Sequence, residues 1–196
     1  AYDCLDASVS CLYGPGANTH RTPYGGRNFE YYSEDGFLAG EIGYAEINGI
    51  LSKGVDVVMK HFALNDSEQE RLGQAAWITE QAAREIYLKA FQKALEENEG
   101  LGGVMTAYTR WGTTWSGMHQ GLMTGILRGE WGFDGMVTTD WWTHGLHYKE
   151  IAAGNDIKMP TGNPEHTLQM ILEGKLDPEC VRTSARRLME AILRLD

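Results

Sequence analysis

The stretch VDVVMKHF (residues 55–62) is a short apolar run that ends in two cationic or hydrogen-bonding side chains. Its apolar, β-branched composition predicts a strand that is buried on both faces, as in parallel sheets. Lys60 and His61 stand at the carboxyl end of this predicted strand. Since successive strand residues face opposite ways, both can enter one pocket only where the strand is ending.

Apolar runs of this kind alternate with helical patterns along the rest of the chain. Strands are also predicted at 8–16, 102–108, 135–140 and 155–159, and helices at 37–54, 79–100, 118–131, 165–174 and from residue 177 onward. This alternation predicts parallel strands that are joined by right-handed crossovers. Both a doubly wound sheet and a (β/α)8 barrel satisfy that pattern.

Polar residues at the strand ends favour the barrel over the doubly wound sheet. The predicted strands end in or near Lys60-His61, Tyr108, Asp140 and Asn155-Asp156. In a barrel the site lies at the carboxyl face and receives residues from several strands. A nucleotide-binding sheet would carry a G-x-G-x-x-G loop after its first strand, and GPGANTH (14–20) does not match that motif.

The predicted strands number about five, fewer than the eight that a barrel requires. We therefore predict an incomplete α/β barrel of the parallel (β/α)8 TIM type. Residues 1–160 are interpreted as the C-terminal part of a barrel catalytic domain, and residues 161–196 as trailing helices that close it. Because the chain starts at Ala1 without a Met, we expect the natural protein to extend upstream.

Apolar stripes on the helices predict which helix faces meet the core. The stripes are Leu38, Ile42, Ala45 and Gly49 in the first long helix; Ala83, Ile86, Ala90, Phe91, Ala94 and Leu95 in the helix 79–100; and Val181, Ala185, Leu188, Ile192 and Leu195 in the last helix. Thr79 and Asp177 are predicted N-caps, and Pro178 suits the first turn of the last helix.

The charge and composition of the chain exclude several classes of partner. The formal net charge is −10, whereas nucleic-acid binding needs clustered Lys and Arg, so we expect no nucleic-acid partner. No apolar run approaches the roughly 18 residues of a membrane span, and no basic-then-apolar leader begins the chain, so we expect no membrane partner. The three cysteines follow no metal-ligand spacing, and His144, His147 and Glu150 match no strong metal motif, so no metal is expected.

Asp140 is the most informative single residue, because it ends an apolar run and is followed by Trp141-Trp142. A carboxylate against apolar walls is costly unless it is paired, hydrogen-bonded or used in chemistry. The local pattern by itself favours a helix N-cap. The adjacent indoles favour a sugar site instead, since an aromatic face suits a sugar ring. Lys60 at a barrel strand end also fits a Schiff-base lysine, so an aldolase or related lyase stays an alternative.

Five blocks of sequence occur together and in a fixed order. They are GPGANTHRTPYGGRNFEYYSED (14–35), KHFALNDSEQER (60–71), VMTAYTR (104–110), LRGEWGFDGMVTTDWW (127–142) and AGNDIKMP (153–160). Together they resemble the N-terminal barrel domain of glycoside hydrolase family 3, the β-glucosidase and β-xylosidase family. The resemblance covers nearly the whole chain.

The resemblance implies a retaining, exo-acting hydrolase that removes a terminal β-linked neutral sugar of glucose or xylose type through a covalent glycosyl-aspartate. It implies no metal and no organic cofactor. The implied roles are nucleophile for Asp140, sugar-hydroxyl binding for Lys60 and His61, pocket residues for Arg27 and Arg71, a neighbour of the nucleophile for Tyr108, and an aromatic wall for Trp141. Arg71 or Lys60 is expected to lower the pKa of Asp140.

Two functional residues of the family have no counterpart in this sequence. They are a sugar-binding Asp from an early barrel strand and the acid/base, usually a Glu, from a later domain. The expected partners are therefore a small neutral saccharide or glycoside and a further domain of the same parent chain. A sugar-binding fragment without catalytic activity is the third interpretation that stays open.

Overall fold

A parallel four-stranded sheet forms the centre of the computed structural model, which describes residues 1–98 and 100–195. The strands are β1 (Cys11–Leu12), β2 (Asp56–Phe62), β3 (Ala75–Ala76), β4 (Gly103–Thr106), β5 (Arg110–Trp111), β6 (Thr114–Trp115) and β7 (Met136–Thr138). The main sheet has the order β1-β2-β4-β7, and every pair in it is parallel. The remaining strands, β3, β5 and β6, form a small second sheet beside it.

Helices connect the strands of the main sheet and cover it. The α-helices are α1 (Tyr2–Asp6), α2 (Gly36–Leu51), α3 (Glu80–Ala82), α4 (Lys89–Glu97), α5 (His147–Ala153), α6 (Pro164–Leu172) and α7 (Pro178–Leu193). The predicted helix 79–100 is α3, a π-helical turn at Ala83–Tyr87, and α4, while the predicted helix 118–131 is π-helical over Gly121–Glu130. Residues 99 and 196, which belong to the predicted ranges 79–100 and 161–196, lie outside the described residues.

The strand order confirms the predicted α/β fold, an incomplete TIM-type barrel in which strands that follow each other in the chain lie side by side. The predicted strand 155–159 is reduced to a single parallel bridge between Thr138 and Ile157. On either side of this bridge, side chains accept hydrogen bonds from backbone N–H groups. Asp156 accepts from the Val137 N–H at 2.8 Å, and the Thr139 hydroxyl accepts from the Met159 N–H at 2.8 Å. The division into residues 1–160 and 161–196 stays a prediction.

Helix α2 packs against α4 through small residues, and its predicted stripe is wrong. Its buried positions are Gly36, Ala39, Gly40, Gly43, Ile47 and Ile50. A Cβ atom on Gly40 would lie 3.1 Å from the Lys89 carbonyl oxygen, so the two helices approach more closely than larger side chains allow. The predicted residues Leu38, Ile42, Ala45 and Gly49 are exposed as a result.

The stripe predicted for residues 79–100 is confirmed, whereas that of the last helix is only partly right. Ala83, Ala90, Phe91, Ala94 and Leu95 are buried, and Ile86 is half-buried. In α7 the buried residues are Ser184 and Ala191, with Val181 and Leu188 half-buried and Ala185 and Ile192 exposed. Leu195 lies beyond the end of α7 and is also exposed. The ion pair between Arg187 and Asp156, at 3.1 Å, holds this face of α7 against the sheet.

The predicted helix starts are confirmed. The Thr79 hydroxyl accepts from the Ala82 N–H at 3.2 Å, and Asp177 accepts from the Glu179 N–H at 2.9 Å, with Pro178 opening α7. Each cap satisfies an N–H group that has no partner inside its helix.

Cys4, Cys11 and Cys180 are free and half-buried. Across residues 1–98 and 100–195, no helix combines the length and apolar character required for a transmembrane span.

Asp66 links the loop after β1 to the loop after β2. Its Oδ1 accepts from both the backbone N–H and the hydroxyl of Thr19, each at 2.6 Å. Burial raises the pKa of Asp66 to about 6, against the opposing effect of these hydrogen bonds. Because this pKa is higher in the folded state, the contribution of Asp66 to stability is greatest below its unfolded value and is lost as the pH rises through about 6.

We expect Asp66→Asn to raise the free energy of unfolding at pH 7.5 by on the order of 2 kcal/mol, since the amide accepts the same hydrogen bonds without a buried charge. At pH 4 the variant and the original chain should be equally stable. Urea denaturation at both pH values measures the difference, with Asp134→Asn in an exposed loop as the control. A less stable Asn variant at pH 7.5 would contradict the assignment.

Candidate active site

A cavity of about 380 Å³ lies at the carboxyl ends of the four main strands. It is lined by Tyr13, Arg27, Lys60, His61, Arg71, Met105, Tyr108, Asp140, Trp141 and Trp142. All seven residues predicted for the site therefore lie together, although they come from five separate segments of the sequence. The roles predicted for them stay predictions.

A bulge in β2 brings both Lys60 and His61 to the cavity. Lys60 pairs with Met105 and Phe62 with Thr106, so that His61 is the extra residue between two consecutive pairs. Asn18 holds the bulge, because its amide both accepts from the His61 N–H and donates to the His61 carbonyl, each at 3.0 Å. The bulge thus interrupts the alternation of side chains between the two faces of the strand, and both Lys60 and His61 line the cavity.

Asp140 follows β7 and is 7% exposed. Its Oδ1 accepts from the Trp141 N–H at 2.7 Å, and its Oδ2 lies 3.7 Å from His61 Nε2. The helix-cap interpretation is wrong, because the next helix, α5, begins at His147 with Leu146 at its N-cap position.

Burial raises the pKa of Asp140 above its usual value. The Trp141 N–H and the cations Arg71 and Arg27 act in the opposite direction but do not outweigh burial. As expected, Arg71 lowers the pKa of Asp140. The expected net decrease in this pKa is wrong, because burial has the larger effect. Low solvent access is the stronger influence on this carboxyl group.

His61 is almost completely buried beside Asp140, with 2% of its surface exposed. Burial lowers its pKa well below the usual value, and Arg27, Lys60 and Arg71 lower it further. Its imidazole is consequently neutral at pH 7, so its approach to Asp140 is a contact between a polar ring and a carboxylate. The other ring nitrogen, Nδ1, lies 3.3 Å from the Tyr31 hydroxyl.

Two glutamates hold the three cations of the cavity. Glu30 accepts from Arg27 Nε at 2.5 Å and lies 3.4 Å from Lys60 Nζ. Glu68 accepts from Arg71 Nη1 at 2.6 Å and lies 3.6 Å from Arg27 Nη1. With Asp140, the site thus combines three carboxyl groups with three cationic side chains, which limits the electrostatic cost of bringing these groups together.

Aromatic side chains form one wall of the cavity. Tyr108 donates its hydroxyl to the Trp141 carbonyl at 2.6 Å, and the Arg71 guanidinium lies over the Tyr108 ring at 4.2 Å. Tyr13 packs edge to face on Trp141, with ring centroids 5.7 Å apart. The Tyr13 ring thus packs on the Trp141 indole itself, while Tyr108 holds the backbone of Trp141 next to Asp140.

The polar groups at 155–156 lie outside the cavity, in contrast to the prediction from strand ends. Asp156 is paired with Arg128 at 2.9 Å and with Arg187, and so joins the sheet to α7. Glu150, considered above as a metal ligand, is buried in an ion pair with Lys158 at 2.8 Å. In the part of the chain that the structure describes, no group of three or more His, Cys, Asp or Glu side chains could hold a metal ion.

Three lining residues escaped the sequence analysis. Tyr13 directly follows β1 and precedes Gly-Pro-Gly, so the strand-end argument applied to Lys60 would have found it. Trp142 is the second of the two indoles that favour a sugar site, but the family motifs imply no role for it, and Met105 is a strand residue with no polar group to mark it.

Comparison with known proteins gives the same relationship from sequence and from structure. Residues 1–191 match the model described as "Glycosyl hydrolase family 3 N terminal domain". Beta-glucosidase A of Butyrivibrio fibrisolvens is 49% identical over 170 residues, and beta-glucosidase of Rhizobium radiobacter is 40% identical over 190 residues. These matches cover 85% and 95% of this chain but 20% and 23% of the two relatives, so the chain spans about a fifth to a quarter of their length.

A solved structure of beta-glucosidase 3B from Thermotoga neapolitana in complex with glucose has a similar fold. The two chains superpose with a TM-score of 0.92 at 33% sequence identity. The superposition covers 98% of this chain and 28% of the other.

The opposing effects of burial and cations on Asp140 can be measured directly. Arg71→Met should raise the pKa of Asp140 further, because it removes a cation that favours the carboxylate. A ¹³C NMR titration of protein labelled at the aspartate carboxyl groups, with the Asp140 signal assigned by Asp140→Asn, measures this change. Arg182→Met, on the exposed side of α7, should leave the signal unchanged. An unchanged or lower pKa in Arg71→Met would contradict the charge balance described above.

Proposed function

This chain belongs to glycosyl hydrolase family 3, and on that premise we propose that it forms the sugar-binding cavity and carries the nucleophile of a retaining β-glycosidase. The proposed substrate is a glycoside with a terminal β-linked neutral sugar of glucose or xylose type. The single observation that supports this most is the cavity itself, in which the buried carboxyl group of Asp140 lies among hydrogen-bond donors and an indole.

In the proposed reaction, ionised Asp140 attacks the anomeric carbon and the glycosidic bond breaks, leaving a covalent glycosyl-aspartate that water then hydrolyses. The hydrogen bond from the Trp141 N–H occupies Oδ1 and leaves Oδ2 on the His61 side of the carboxylate. Arg71 and Arg27 favour the ionised form that attack requires. The deprotonation of Asp140 then sets the acidic limb of the pH–activity profile.

The sugar would be oriented by donors that the protein already holds in place. Lys60 and Arg27 reach the cavity while paired with Glu30, and neutral His61 offers one ring nitrogen beside Asp140. Donors that are fixed before binding lose little freedom when a hydroxyl group arrives, which lowers the barrier to reaction. Trp141 supplies a flat apolar face for the ring of the sugar.

The proton donor for the leaving group is proposed to come from a part of the full-length protein outside these residues. A retaining enzyme needs a protonated acid about 5–5.5 Å from the nucleophile. Burial alone would raise the pKa of Glu30, but the Arg27 hydrogen bond and the Lys60 charge outweigh it and hold that pKa below its usual value. Glu68 carries ion pairs with two arginines. Neither carboxyl group therefore has the environment of a general acid.

The lyase alternative has less physical support. A Schiff-base lysine must lose its proton before it attacks a carbonyl, and enzymes achieve this by desolvation or by a neighbouring cation. Lys60 Nζ instead forms an ion pair with the Glu30 carboxylate at 3.4 Å, and 19% of the Lys60 side chain is exposed. The interpretation as a sugar-binding fragment without activity differs only in the absence of chemistry at Asp140.

The nucleophile is tested in the full-length protein. Asp140→Ala should lower kcat for an aryl β-glucoside by roughly 10⁴-fold or more, because covalent catalysis is lost. The exposed Asp134→Ala, from the same sequence block, serves as the control and should keep its activity. A 2-deoxy-2-fluoro glucoside should label Asp140, as read by peptide mass spectrometry. A label on a different carboxyl group would rule out the assignment.

The source of the proton is tested with residues 1–196 alone. We expect negligible hydrolysis of cellobiose, and any residual activity should favour a dinitrophenyl glucoside, whose leaving group needs no protonation. Loss of general-acid assistance typically costs about 10²–10⁴-fold in rate. Cleavage of cellobiose by these residues at the rate of the full-length protein would place the acid inside this chain, with Glu30 or Glu68 as the candidates.

A further inference from the structure

Glu68 connects the two loops that supply the arginines of the cavity. Its backbone N–H donates to the Gly25 carbonyl at 2.9 Å, which joins the loop carrying Arg27 to the loop carrying Arg71. Its side chain lies between the two guanidinium groups, at 2.6 Å from Arg71 Nη1 and 3.6 Å from Arg27 Nη1. The carboxylate thus separates two like charges that would otherwise repel each other across the cavity.

Glu68 also reaches His61 through a chain of hydrogen bonds. Glu68 Oε1 accepts from Asn65 Nδ2 at 2.8 Å, and the same amide lies 3.3 Å from the Tyr31 hydroxyl. That hydroxyl lies 3.3 Å from His61 Nδ1. Asn65 is 0% and Tyr31 6% exposed, so the middle of this chain is shielded from water, whereas 22% of the Glu68 side chain is exposed. Glu68, which does not itself line the cavity, is therefore linked to three of the proposed sugar-binding residues, Arg27, Arg71 and His61.

We propose that Glu68 is a positioning residue, which sets the places of Arg27 and Arg71 around the sugar and fixes the orientation of His61. This inference rests on the proposed glycosidase function and assigns Glu68 no proton transfer to the leaving group. Its charge is required because two guanidinium groups share it, and its length is required because it spans the space between two loops. Glu30 has the corresponding place between Arg27 and Lys60 on the other side.

The test compares Glu68→Ala and Glu68→Gln in the full-length protein with Glu70→Gln, an exposed glutamate of the same loop. Glu68→Ala should lower kcat/KM by about 10²-fold, the size expected when binding groups are misplaced by about 1 Å. Glu68→Gln should lose less, since its amide oxygen still accepts from Asn65 but lacks the charge that the arginines share. Glu70→Gln should match the original protein.

Two substrates separate positioning from proton donation. A positioning role predicts the same fold-loss for cellobiose and for a dinitrophenyl glucoside, because both place the same sugar in the cavity. A loss confined to cellobiose, with rescue by azide, would make Glu68 the acid and overturn the inference. Unchanged kcat/KM in both Glu68 variants would also overturn it. If Glu68→Ala does not fold, Glu68→Gln decides by the same two criteria.

Crystal structures of the variants supply a readout that does not depend on activity. The Arg27 and Arg71 guanidinium groups should be displaced or disordered in the Glu68 variants and unchanged in Glu70→Gln. Arginines that keep their places would overturn the inference even if the proposed function holds. An original full-length protein without activity on any β-glycoside would instead contradict the proposed function, while displaced arginines would still support the positioning role.

Discussion

The burial of one carboxyl group at the end of β7 is the constraint on which the rest of the site depends. Asp140 is shielded from water, which opposes its ionised form. Arg27 and Arg71 offset part of that cost, but two guanidinium groups and an ammonium group in one cavity repel each other. Glu30 and Glu68 are therefore as much a part of the site as the residues that line it.

This arrangement makes the electrostatics of the cavity depend on loops as well as on strands. The strands bring Lys60, His61 and Asp140 to one end of the sheet, as expected for parallel strands. The arginines come from the loops after β1 and β2, whose positions depend on contacts such as the one between Asp66 and Thr19. Local opening of either loop would move cations away from Asp140 and raise its pKa further.

The buried face of α2 shows why the packing of this helix could not be predicted from the sequence. Apolar periodicity weights large side chains, and by that measure Leu38 and Ile42 mark the core face. The contact with α4 instead uses Gly36 and Gly40, because the backbones of the two helices lie too close for larger residues. Hydrophobic patterning carries no information about that distance, so the predicted face was wrong although the helix itself was right.

The sequence by itself determined the alternation of strands and helices and the helix caps at Thr79 and Asp177, since these follow from local composition and spacing. Together with the family motifs, the sequence also predicted seven site residues, and all seven line the cavity. Only the tertiary structure decided that Asp156 is structural, that Met105 belongs to the cavity, and that burial outweighs cations at Asp140. Those outcomes depend on distances and solvent access between segments far apart in the chain, which no local pattern encodes.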